Sequence, residues 1–230
     1  MGETVEFPSN GTTASGYLAR PSPGSGPGVL VLQEWWGLNP QIKRVCDRLA
    51  EAGFTALAPD LYHGELAGHQ EMDKANKLMS ELPPERAARD MGAAVDFLSG
   101  HEAASGEKVG VVGFCMGGML TLLVAAQQGD KIGAAVPYYG APIGGNEPDW
   151  SNLTAKVEGH MAGNDTFFPP DAVRALESKL NDAGKEVRFH FYAGAGHAFA
   201  NEEDALGSYN REAAEEAWDR TVAFFRANLS

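Results

Sequence analysis

The chain has 230 residues and a formal net charge of -13, with 43% hydrophobic and 21% charged residues. That length suits one large α/β domain or two small ones, and the balance supports a sizeable core. An acidic surface repels phosphate backbones and anionic membranes, so neither nucleic acid nor membrane is an expected partner.

Residues 4–7 and 15–19 read as strands. The Pro- and Gly-rich stretch 21–28 reads as a turn into the next strand, 28–33. Its loose Gly-x-Gly pattern precedes a strand rather than joining strand to helix, so it lacks a dinucleotide-binding context. In the first helix Asn39 is a candidate N-cap and Pro40 suits the first position. Ile42, Val45, Cys46 and Leu49 share a face, and Gly53 is a stop. Residues 54–58 form the fourth strand. A helix with Met91, Ala94, Val95 and Leu98 on one face leads to the strand 109–114, and 118–126 is apolar and helical. Strands 134–139 and 157–162 follow. A helix entered through Pro169 and Pro170 carries Val173, Leu176 and Leu180 and stops near Gly184. After the last strand, 187–192, the closing helix 210–227 should bury Ala214, Trp218, Val222 and Phe225 and expose Glu215, Asp219 and Arg226. Strands alternating with helices imply a mostly parallel sheet of about eight strands, covered on both faces, in a single domain spanning 1–230. In such a sheet the working loops lie at the carboxyl ends of the strands.

Gly113-Phe114-Cys115-Met116-Gly117 stands between a strand and a helix, as a nucleophile elbow does, with cysteine in place of serine. A thiol nucleophile needs a base, and the base needs an orienting group. His197 lies in a Gly-rich loop after the last strand, and Asp165 follows the strand 157–162. Nucleophile, acid, histidine is the α/β-hydrolase order. Singly, each has a plainer reading: a cysteine in a tight turn, a turn carboxylate, a loop histidine. Together, in order and in context, they read as a triad. Cys46 and Cys115 make neither a disulfide framework nor a zinc motif, and no metal or cofactor is expected. Cys46 reads as a buried structural thiol, His63 and His160 as structural or solvated. The N-terminus has no basic start or apolar stretch, and Glu6 breaks the myristoylation pattern that Gly2 would open. A cytoplasmic monomer is expected.

With Gln33-Glu34-Trp35-Trp36-Gly37, Ala58-Pro59-Asp60-Leu61-Tyr62, Gly163-Asn164-Asp165 and Gly196-His197-Ala198-Phe199, the chain resembles the dienelactone hydrolase family of α/β-hydrolases from about Gly16 onward. The resemblance implies hydrolysis of a small ester or lactone by Cys115, His197 and Asp165, with the Trp35 and Met116 N–H groups as oxyanion hole. It implies that Glu34 contacts the resting thiol and helps deprotonate it. Trp36, Asn76, Met79, Phe199 and Asn201 fall at substrate-facing positions, with Trp35 and Trp36 lining an apolar acyl pocket. Tyr138 and Tyr139 are expected to pack. The family's two carboxylate-binding arginines are absent: Asn201 stands at one position and Met72 at the other, with Arg86 or Arg89 as alternatives for the second. Neutral Asn cannot replace a bidentate guanidinium, so a neutral ester or lactone is expected. The competing readings are a thioesterase on the same residues, a non-catalytic binding protein of the fold, and a redox sensor, which would need a resolving thiol.

Overall fold

The computed structural model describes residues 2–22, 24–145 and 147–229; Pro23, within the expected turn, lies outside them. The strands are β1 (Glu3–Ser9), β2 (Thr12–Ala19), β3 (Gly26–Leu32), β4 (Thr55–Pro59), β5 (Ala104–Phe114), β6 (Ile132–Tyr138), β7 (Lys156–Ala162) and β8 (Val187–Tyr192). The helices are α1 (Pro40–Glu51), α2 (Met72–Ser80), α3 (Pro84–Ser99), α4 (Met116–Gln128), α5 (Pro170–Asp182) and α6 (Arg211–Asn228). They form one sheet in the order β1-β2-β4-β3-β5-β6-β7-β8. Only β2 runs against its neighbours; from β4 to β8 every pairing is parallel.

Alternation along β3 builds a core on each face of the sheet. Leu30 and Leu32 join Met91, Leu98, Val124 and Leu176 from α3, α4 and α5. Val29 and Val31 join Ile42, Leu49, Ala217 and Phe225 from α1 and α6. A strand covered on both sides is apolar at every position, and this is how β3 reads. Local chemistry sets the helix ends. The Asn39 side chain accepts from the Ile42 N–H at 3.0 Å, and Gly53 follows α1 at φ 99°. Among the described residues no helix is long and apolar enough to cross a membrane.

Two expectations are corrected. β5 starts at Ala104 rather than at 109, because its exposed first half carries no apolar pattern. On α6 Phe225 is buried as expected, but Ala213, Ala217 and Thr221 fill the other core positions, each one residue before the expected Ala214, Trp218 and Val222, which are half-buried. Thr221 causes the difference. Its hydroxyl donates to the Ala217 carbonyl at 2.8 Å, leaving lone pairs for the Tyr138 hydroxyl at 2.7 Å and His160 Nε2 at 3.1 Å. His160 therefore carries its proton on Nε2 and accepts from the Tyr192 hydroxyl at Nδ1, 3.0 Å away. Burial holds His160 well below its usual pKa, so it is a neutral tie between β6, β7, β8 and α6. His63 is tied too: it pairs at 2.7 Å with Asp90, which also accepts from the Ser9 hydroxyl.

Candidate active site

β5 ends at Phe114 and α4 begins at Met116, so Cys115 alone makes the turn, at φ 54° and ψ -114°. Positive φ in a residue with a Cβ is costly, on the order of 1–3 kcal/mol, and persists only where the surroundings impose it. Here they do. The Cys115 N–H donates to the Tyr138 carbonyl at 3.1 Å, and its own carbonyl accepts from Gly118 at 2.9 Å. A Cβ at Gly117 would overlap the Leu32 carbonyl oxygen, and one at Gly140 would overlap that of Cys115. Glycine at both positions lets α4 and the loop after β6 close on the elbow.

Asp165 follows β7, and its side chain is 1% exposed. One carboxylate oxygen accepts from the Phe167 and Phe168 N–H groups at 2.8 and 3.0 Å. The other lies 2.9 Å from Nδ1 of His197, on the loop after β8. This pairing keeps a proton on Nδ1 and leaves Nε2 to accept. Nε2 lies 3.1 Å from the Cys115 sulfur. Burial, followed by the charge of Glu34, holds the Cys115 thiol well above its ordinary pKa, against the pull of the Met116 N–H. Both effects favour the neutral thiol over the thiolate. Met116 opens α4, so its N–H has no acceptor within the helix. Among the described residues the Trp35 N–H has no backbone acceptor either.

Glu34, just after β3, is fully buried. The Tyr139 hydroxyl donates to one of its oxygens at 3.2 Å and the Asn201 amide to the other at 2.6 Å. Burial raises its pKa from 4.5 to about 7, and those two hydrogen bonds oppose the rise. Glu34, expected to contact the thiol, directs its two carboxylate oxygens to Tyr139 and Asn201, while the sulfur lies against His197.

The thiol borders a cavity of about 430 Å³. Trp35, Trp36, Asn76, Met79 and Met116 line it, together with Cys115 and His197. Two other substrate-facing expectations are corrected. Phe199 has no exposed surface and packs on Tyr138, Tyr139 and Tyr192. Asn201 is 1% exposed and is held behind the thiol by Glu34. Neither borders the cavity. Tyr139, expected only to pack, is a donor to Glu34. Arg86 and Arg89 stay off the wall as well: Arg86 reaches the Leu61 carbonyl at 3.4 Å and Arg89 pairs with Glu85 at 4.0 Å. Sequence reasoning missed Met119, Ile143, Phe167 and Phe168 on the wall. The two phenylalanines had a signal, since their N–H groups lie within three residues of Asp165 and wrap its carboxylate. Among the described residues no group of three or more His, Cys, Asp or Glu is placed to hold a metal.

A mostly parallel eight-stranded sheet with such an elbow at its carboxyl edge is the architecture of the α/β hydrolases. The chain belongs to the dienelactone hydrolase family, whose model matches residues 14–229. It is 41% identical to "Protein usf" of Aquifex pyrophilus, over the full length of both chains. It is 37% identical, again over both full lengths, to an Aquifex aeolicus protein provisionally named as a carboxymethylenebutenolidase. A crystal structure from Klebsiella pneumoniae, provisionally described as a dienelactone hydrolase, superposes with a TM-score of 0.86 at 30% identity, covering 98% of each chain.

Proposed function

We propose that the protein hydrolyses small carboxylic esters or lactones through an acyl-enzyme on Cys115. The observation that carries this reading is the unbroken line Asp165–His197–Cys115, at 2.9 and 3.1 Å, beside the apolar cavity. Starting from the neutral thiol, His197 Nε2 takes its proton as the sulfur attacks the substrate carbonyl. Asp165 holds the imidazole in the accepting tautomer and stabilises it once charged. The Trp35 and Met116 N–H groups receive the developing oxyanion, an interaction commonly worth about 3–4 kcal/mol. As the tetrahedral intermediate collapses, His197 returns the proton to the departing alkoxide, leaving a thioester on Cys115. The same nitrogen then draws a proton from water as hydroxide adds to the thioester; collapse of that intermediate breaks the C–S bond and releases the acid, and His197 returns the proton to the departing sulfur, restoring the thiol. Glu34, hydrogen-bonded to Tyr139 and Asn201, acts through the charge it presents to Cys115 and through its position directly before the Trp35 N–H.

With p-nitrophenyl acetate the protein should release a burst of nitrophenolate equal to the protein concentration. Cys115→Ala should abolish both burst and turnover. Full activity in Cys115→Ala would overturn the reading.

A further inference from the structure

We propose that this site selects neutral esters with an apolar acyl arm and turns away esters bearing a free carboxylate, because among the described residues its wall holds no cationic side chain. The proposal rests on the hydrolytic reading of Cys115 and adds a substrate class to it.

Among the described residues no lysine, arginine or carboxylate borders the cavity. Apart from Cys115 and His197, the polar side chains on its wall are the Asn76 amide and the indoles of Trp35 and Trp36, the Trp36 N–H being buried without an acceptor among the described residues. All are neutral. None can balance a full negative charge. The rest of the wall is aromatic and aliphatic, with Met119, Ile143 and Phe168 among it.

The surrounding charge has the same sign as a carboxylate. Glu34 and Asp165 are the buried acids nearest the thiol, and both act to raise its pKa. The whole chain carries -13. The neutral amide of Asn201 offers nothing: its N–H is spent on Glu34 and its oxygen accepts from the Glu203 N–H at 3.0 Å. A carboxylate on the acyl arm would lose its water and gain no cation, which is strongly unfavourable. A methyl group in the same place gains by burial.

The test is a matched pair: p-nitrophenyl butyrate and the mono-p-nitrophenyl ester of succinic acid, in which a carboxylate replaces the terminal methyl. The butyrate ester should have the higher kcat/KM by about 100-fold. A preference below tenfold, or one for the succinate ester, overturns the proposal. Asn76→Arg should narrow the gap by at least tenfold, and Met79→Arg, at a 37% exposed position on the same wall, should narrow it in the same direction. A gap unchanged in both variants would also overturn it. The two levels of inference separate cleanly. Hydrolysis of neither ester, or undiminished hydrolysis by Cys115→Ala, would sink the catalytic reading. Comparable hydrolysis of both esters, lost in Cys115→Ala, would sink only the substrate class.

Discussion

Replacing Glu34 by Gln should stabilise the protein in mild alkali and leave it little changed in acid. In the unfolded chain this carboxyl loses its proton near 4.5, whereas burial in the folded protein keeps it on until about 7. Between those values the unfolded state binds fewer protons than the folded one. The contribution is therefore fully present below about 4.5, is lost as pH rises through about 7, and stays lost above. At 1.36 kcal/mol per pH unit, the whole interval corresponds to about 3 kcal/mol. The amide does not titrate, and its pairing can survive. Its oxygen can accept from Asn201, and its NH₂ can donate to the Tyr139 hydroxyl oxygen. Asn201 has no reason to flip, since its own oxygen is held by the Glu203 N–H. Urea unfolding followed by tryptophan fluorescence should thus show the variant gaining about 2–3 kcal/mol on the wild type between pH 5 and pH 8.5. A difference independent of pH would refute the assignment of a buried, near-neutral carboxyl. The same variant separates two roles for Glu34. If its charge only opposes thiolate formation, iodoacetamide should label Cys115 faster in the variant at pH 8.5; slower labelling would mean that Glu34 takes the thiol proton.

Thr221→Val keeps the shape of α6 but strands the Tyr138 hydroxyl and the His160 Nε2–H in the core; a loss of about 2–4 kcal/mol in urea unfolding is expected, and a loss under about 0.5 kcal/mol would contradict the network. Gly140→Ala puts a methyl group onto the Cys115 carbonyl oxygen, a backbone atom that cannot swing aside. It should lower stability by about 1–3 kcal/mol by calorimetry and reduce the acyl burst, and a variant with wild-type Tm and burst would show that the elbow has slack.

Much of this protein is written locally. Asn39-Pro40 and Gly53 bound α1 because a cap, a fixed φ and a positive φ are properties of single residues. The doubly apolar β3 announces a strand covered on both faces. Cys115, Asp165 and His197 were legible because each sits directly after a strand, where the parallel topology gathers loops at one edge. What the sequence did not reveal depends on partners distant along the chain. The α6 stripe was misread because Thr221 is buried by bonds to Tyr138 and His160, 83 and 61 residues away, and no hydropathy scale anticipates that. Asn201 was placed against substrate by its distance from His197, yet its amide reaches Glu34 across 167 residues. By itself, then, the sequence determined the fold class and the placing of Cys115, Asp165 and His197 on loops after strands, which the structure brings within 2.9 and 3.1 Å of one another, since short-range turn chemistry and strand order suffice for these. Only the tertiary structure decided which polar groups face the cavity and which are consumed behind it. That division depends on long-range pairing of buried groups, and it makes Asn201 a neutral prop for Glu34.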